Sequence, residues 1–275
     1  MLETQNHDSK AFTQGFSFFD GHIYEGTGLN GESSLRKLDR KNPETYLQSF
    51  DIPDEYFGEG ITHYKDGRGN DRIVQITWRE RTAFVYDARK LEVIFTFKYH
   101  IDTSNGEGWG ITFDEGRNEF IVSDGTEQLF FWDVSILDSC ESLMSTQDDY
   151  SVDDFVVCNI IVEASRQVKV HAFTSETSTP HYVGYLNELE LISRTNLEGT
   201  TSNSILANVW FQNYLIEICP ISGVVLRLYD LSDLCPPKLR TGENVLNGIS
   251  MSDEGDDIIY VTGKQWHQMY KIKLI

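Results

Sequence analysis

Five short segments of this chain can be laid over one another, and that internal repeat restricts the fold more than any other feature. They begin at Phe12-Thr-Gln-Gly, Phe57-Gly-Glu-Gly, Gly108-Trp-Gly-Ile, Tyr185-Leu-Asn-Glu and Val245-Leu-Asn-Gly. Each is followed by a polar turn, a second β-rich run ending near Glu25, Trp78, Asp124, Trp210 or Lys264, and a third run rich in aromatics. The turns repeat as well: Asp20-Gly21, Lys65-Asp66-Gly67, Asp114-Glu115-Gly116 and Asp253-Glu254-Gly255. With Gly15, Gly60, Gly110, Glu188 and Gly248 as equivalent positions, the spacings are 45, 50, 78 and 60 residues. Two of them match the ~40 to 50 residues of a four-stranded propeller blade.

No stretch of a dozen residues keeps the apolar spacing of an amphipathic helix, whereas short strand-like runs bounded by Gly, Asp and Asn recur throughout. The expectation is an all-β chain, one five-bladed β-propeller domain over residues 1–275, with two surface insertions at about 139–179 and 193–204. The first, rich in Ser, Thr and Asp, carries a short helix near Ile136–Met144. Closure of the ring by pairing of the N- and C-terminal strands is not visible in the residues.

Composition narrows the function. There are 23 Lys and Arg against 43 Asp and Glu, for a net charge of −20. Such a chain has no basic face for nucleic acid or anionic lipid. Its longest nearly apolar run, Phe155 to Val162, falls far short of the ~18 to 20 residues of a membrane span. The residues after Met1 have neither the basic start nor the apolar stretch of a signal peptide, so either the protein is cytosolic or a targeting segment lies outside this sequence. Cys140, Cys158, Cys219 and Cys235 show no zinc-ligand spacing; one or two disulfides and a fully reduced state are equally compatible with them.

The innermost strand of every propeller blade faces the central channel, so equivalent residues converge on one axis. The column just before the repeated glycine holds Gln14, Glu59, Trp109, Asn187 and Asn247, and the ends of the second strands add Trp78, Trp210 and Lys264. A purely structural column would be small or apolar. Glu59 before a glycine would ordinarily be a solvated turn residue, the tryptophans blade packing, Lys264 a surface lysine and the asparagines caps on backbone groups. Convergence at one mouth argues instead for a site with one acid, one base, three amides and three indoles. The seven histidines form no HxH or HExxH motif.

These residues resemble the plant and bacterial type of glutaminyl cyclase, the glutamine cyclotransferase family. The matching strings, in family order from residue 12 to the end, are Phe12-Thr-Gln-Gly, Tyr24-Glu-Gly-Thr-Gly, Phe57-Gly-Glu-Gly-Ile-Thr, Gln75-Ile-Thr-Trp, Gly108-Trp-Gly-Ile-Thr, Ser123-Asp-Gly-Thr, Leu186-Asn-Glu-Leu-Glu, Ala207-Asn-Val-Trp, Val245-Leu-Asn-Gly-Ile and Val261-Thr-Gly-Lys-Gln-Trp. The resemblance implies a five-bladed propeller, in agreement with the repeat count. It also implies attack of an N-terminal glutamine's α-amine on its own γ-carboxamide, giving pyroglutamate and ammonia.

Under that resemblance Glu59 is the proton shuttle, while Gln14, Asn187 and Lys264 hold the amine, the amide and the developing oxyanion. Phe12, Phe57, Trp78, Trp109, Trp210 and Asn247 line the substrate pocket. No metal or other cofactor is required, although a structural calcium is compatible with the reading. The expected partners are peptides and proteins with an N-terminal Gln, handled by a monomer. A secretory location follows from the resemblance alone, since the chain has no Asn-x-Ser/Thr sequon. Two rival readings are a metal-dependent propeller lactonase or hydrolase, which would need more inward carboxylates or His, and a non-catalytic propeller scaffold.

Overall fold

A computed structural model describes residues 1–144, 156–174, 177–195, 198–234 and 242–275. Short β-rich runs, buried along most of their length in the inner and middle strands and joined by Asp-Gly turns, form five sheets in a ring, antiparallel apart from one added strand. The inner strands are Thr13–Phe19, Gly58–Lys65, Ile111–Asp114, Leu186–Thr195 and Leu246–Met251, and each contacts the next around the axis. We number the blades 1 to 5 in that order.

Each sheet buries both faces against its neighbours, so apolar residues occupy successive positions of the middle strands. In blade 3, Phe120 and Val122 pack towards blade 2 while Ile121, between them, packs towards blade 4. Four of the five seams are large hydrophobic clusters. The seam between blades 5 and 1 is the smallest, built on Phe16, Ile23, Leu38, Tyr260 and Met269.

That seam is where the ring closes. The N-terminal strand Glu3–Asn6 pairs antiparallel with Gln268–Lys273 and becomes the outer strand of blade 5. Just beyond it, His7 enters the seam: its Nε2 lies 2.9 Å from Glu25 Oε1 in blade 1, and its Nδ1 lies 2.8 Å from the Trp266 carbonyl in blade 5. Thr13 donates a further hydrogen bond to the same carboxylate oxygen. Burial alone would lower the His7 pKa, but the Glu25 charge and the hydrogen bonds outweigh it and hold the ring above its ordinary value.

Two stretches of the segment predicted as one insertion after blade 3 are woven into the blades. Residues Arg166–Lys169 are the outer strand of blade 3, and Val157–Val162 adds to blade 2 as a fifth strand, parallel to Val93–Tyr99. Outer strands bury little, so their composition resembles that of a loop. The expected helix is present as Val134–Leu137 and Asp138–Met144, and Cys140 is bonded to Cys158, tying it to the added strand. The strands His171–Thr174 and Thr177–Tyr182 pair with each other as a two-stranded sheet, bridged to blade 4 between His171 and Val224. The smaller insertion is a lengthening of the first hairpin of blade 4, Leu186–Thr195 with Thr201–Val209. Cys219 is free, and Cys235 lies outside the described residues.

A pair that raises a histidine's pKa in the folded state stabilises fully below the unfolded value of 6.5 and is lost as pH rises through the folded value. Replacing His7 with Gln should therefore lower the melting temperature, with a cost of about 3–5 kcal/mol at pH 6 for leaving Glu25 buried without its partner. The gap between the two proteins should narrow by pH 9, as followed by circular dichroism.

Candidate active site

Around the axis the inner strands approach backbone to backbone. A methyl group on Gly15 would lie 2.6 Å from the Ile61 amide nitrogen, one on Gly60 2.8 Å from that of Ile111, and one on Gly110 against the Asn187 carbonyl. No side chain fits there, which explains the repeated glycine. Blade 4 departs from the pattern with Glu188, whose carboxyl spans the axis and accepts hydrogen bonds from Phe16 N of blade 1 at 3.1 Å and Ile249 N of blade 5 at 2.7 Å. Burial and the neighbouring Glu190 push its pKa well up despite those donors.

In blades 1, 2, 4 and 5 the register between inner and second strands slips at this point, at Thr13/Gly15, Gly58/Ile61, Leu186/Leu189 and Leu246/Ile249. Such a bulge re-aims the extra residue. It presents Gln14, Glu59 and Asn187 to a cavity of about 280 Å³ at one end of the channel. Phe12, Phe57, Trp78, Trp109, Trp210 and Lys264 complete its wall as expected, together with Glu243, which the sequence did not single out. Glu243 sits in the loop leading to blade 5 and is exposed at the mouth; loops carry no periodic pattern to mark such a residue.

Asn247 is the exception among the expected pocket residues. It is fully buried beside the cavity rather than on its wall, and its Nδ2 donates to the Thr13 carbonyl at 3.0 Å and to Gln14 Oε1 at 3.3 Å. Because the carbonyl must face the Asn247 NH₂, the Gln14 oxygen faces Asn247 as well. The Gln14 NH₂ is then left for the cavity. Asn247 acts through Gln14.

The aromatic wall is self-supporting. Phe12 meets Phe57 edge-on at 6.1 Å, Phe57 leans on Trp78 at 5.5 Å, and Trp109 meets Trp210 edge-on at 5.3 Å. Trp109 Nε1 donates to Glu107, which is paired through its other oxygen with Arg79, and Arg79 lies 3.6 Å over the Trp78 ring. Two buried polar atoms of the cavity wall, Asn187 Oδ1 and Trp210 Nε1, have no hydrogen-bond partner among the described residues.

Within this wall Glu59 is 5% exposed, and among the described residues its carboxyl makes no hydrogen bond. Burial therefore dominates and raises its pKa well above the ordinary carboxylate value. Lys264 opposes this, and the negative charges of Glu107, Glu80 and Glu243 reinforce it. In the folded chain burial outweighs the lysine charge. Lys264 is itself pulled below the usual lysine range by burial, against the Glu59 and Glu243 charges, and its Nζ lies 4.8 Å over the Phe12 ring. No described carboxylate closes on it to form an ion pair. A raised acid and a lowered base thus face one cavity, the kind of arrangement found at functional sites.

The glutamine cyclotransferase family matches this chain over residues 1–156 and 158–274. The chain belongs to that family. It is 33% identical over 273 residues to the glutaminyl-peptide cyclotransferase of Arabidopsis thaliana, covering 98% of this chain and 68% of that protein. The crystal structure of Myxococcus xanthus glutaminyl cyclase superposes with a TM-score of 0.69 at 25% identity, over 99% of this chain and 94% of the other. The five-bladed architecture is thus that of a glutaminyl cyclase.

For this cyclotransferase-family site, Glu59→Gln should lower kcat at least ~10²-fold with little change in dipeptide binding, since it keeps size and hydrogen bonding but cannot carry the proton. Its melting temperature should not fall, because a buried acid is replaced by a neutral amide. Lys264→Ala should impair both kcat and KM. It should also move the acid limb of kcat/KM to higher pH, because removing the cation that lowers the Glu59 pKa lets that value rise further. A Glu59→Gln protein keeping more than about a tenth of wild-type kcat would exclude the shuttle role.

Proposed function

We propose that this chain cyclises the N-terminal glutamine of peptides to pyroglutamate with release of ammonia, using Glu59 as the shuttle for a proton. The observation that carries the reading is the one buried, unsupported carboxyl in a cavity of about 280 Å³ whose remaining polar groups are amides, an indole N–H, one lysine and the exposed Glu243 carboxylate at the mouth. That volume lies just below the ~300 to 1,000 Å³ of typical ligand pockets and suits one residue rather than a peptide. Family membership and the two named relatives support the same chemistry.

Ring closure within one residue is already unimolecular, so the protein must fold the side chain back and move protons. The α-amine nitrogen bonds to the γ-carbonyl carbon, and the carbonyl electrons move onto oxygen. Glu59 accepts a proton from the attacking nitrogen and returns it to the departing one, which leaves as ammonia as the carbonyl re-forms. An α-ammonium titrates near pH 8, so a carboxyl raised towards that range is better matched to the transfer than an ordinary one. Asn187 Oδ1 is placed to accept from the amine or the amide, and the Gln14 NH₂ and Trp210 Nε1 to donate to carbonyl oxygens. Lys264 supplies positive charge to the oxyanion, an effect of about 3–4 kcal/mol for a well-placed donor.

The wall offers two carboxylates, Glu59 and Glu243, and neither His nor Cys. This donor set fits a metal-free reaction better than the lactonase reading, which needs several inward ligands. The Cys140–Cys158 disulfide suits an oxidising, secretory compartment, and among the described residues no helix is long and apolar enough to cross a membrane.

The test is release of ammonia from a Gln-initiated dipeptide by the purified protein in excess chelator. Turnover should persist undiminished. Activity lost to chelator and restored by zinc would overturn the metal-free mechanism, and no ammonia under any condition would overturn the assignment.

A further inference from the structure

A cavity with room for one residue leaves the rest of a peptide outside, and the rim of blade 4 differs from the others in what it presents there. Trp210 lines the cavity with its indole edge-on to Trp109, and it stacks on Phe211 with ring centres 4.2 Å apart and planes inclined by 27°. Tyr185 leans on the same indole at 6.2 Å. Phe211 and Tyr185 are 54% and 60% exposed, unusually bare for aromatic rings.

Both also hold left-handed backbone, with φ of 63° and 60°, which bulky side chains rarely adopt. The conformation is pinned by hydrogen bonds from Trp210 N to the Tyr185 carbonyl, from Tyr185 N to that of Gly125, and from Gln212 N to that of Val209. At the matching turn of the other blades the left-handed residue is Leu29, Arg81, Gly125 or Gln265; only blade 4 uses an aromatic. Tyr185 shares its repeat column with Phe12 and Phe57, which face the cavity, yet it stands outside on the rim. The fold thus holds two rings out of the core in a strained conformation, continuous with the substrate pocket through Trp210.

We infer that Tyr185 and Phe211, with the outer part of Trp210, form the subsite for the second residue of the substrate, and that the substrates favoured are those with an apolar or aromatic side chain directly after the N-terminal Gln. The occupant is the substrate's own chain, because the α-carbon of the second residue lies only ~3.8 Å from that of the glutamine and the cavity wall includes the indole against which Tyr185 and Phe211 stand. This rests on the cyclase reading above.

The experiment compares kcat/KM for Gln-Phe-Gly and Gln-Gly-Gly in the wild type and in a Tyr185→Asn, Phe211→Asn double variant. Asn tolerates the left-handed conformation, so the backbone is kept while the rings are removed. The wild type should favour Gln-Phe-Gly by about tenfold, the scale of one apolar contact, and the double variant should bring the ratio within about twofold of unity. The readout is a ratio within one protein, which general damage would not shift. Equal turnover of both peptides by the wild type, or a preference kept by the double variant, would overturn the inference. If the double variant turns over neither peptide, Phe211→Asn alone must cut the ratio at least about threefold, or the inference falls. Wild type that releases ammonia from neither peptide would instead refute the cyclase reading, a different result from cyclisation without preference.

Discussion

Everything in this molecule depends on how closely five strand backbones can be drawn around one axis. At Gly15, Gly60 and Gly110 the inner strands are too near for any β-carbon, so chain direction, not side-chain packing, sets the width of the channel. The seam is then stitched by polar contacts. Gly60 N donates to the Trp109 carbonyl, Ser123 Oγ to that of Asn187, and Asn247 to that of Thr13, while Glu188 reaches across from blade 4 to blades 5 and 1. A carboxyl at this place does what a glycine cannot, satisfying two amides that no neighbouring strand reaches. Next to this level the bulges of blades 1, 2 and 4 present Gln14, Glu59 and Asn187 to the cavity.

The walls of that cavity set the electrostatics of Glu59. An open channel would solvate Glu59 and leave it an ordinary acid. Walled by indoles and phenyl rings, and repelled by Glu107, Glu80 and Glu243, it is held protonated to higher pH. Lys264 moderates the effect without forming an ion pair that would lock both groups. The same economy of charge recurs at the ring closure, where His7 and Glu25 occupy the weakest hydrophobic seam. There the pair is closed and hydrogen-bonded on both sides, and its role is cohesion rather than proton transfer.

Much of the site was legible because the repeat converts sequence position into spatial position. Once Glu59 and Asn187 share a column, the ring geometry must bring them together, whatever separates them in the chain; the tryptophans ending the second strands follow for the same reason. Features without a column were lost. Glu243 lies in a connecting loop, and the outer strand Arg166–Lys169 carries too little apolar pattern to distinguish it from the loop around it; Asn247, which does share the column, is instead diverted from the cavity to Gln14.

The sequence by itself determined the number of blades, the order of the inner strands and the chemical identity of nearly every group at the mouth, since these follow from periodicity and from residue types placed at equivalent steps. Only the tertiary structure decided which of those groups face the cavity, which way the Glu59 pKa moves, that Cys140 pairs with Cys158, and that the N-terminal strand closes the ring. The reason is physical. Periodicity is a local property of the chain, whereas a bulge's aim, a carboxyl's desolvation and a disulfide's reach depend on distances between atoms far apart in sequence.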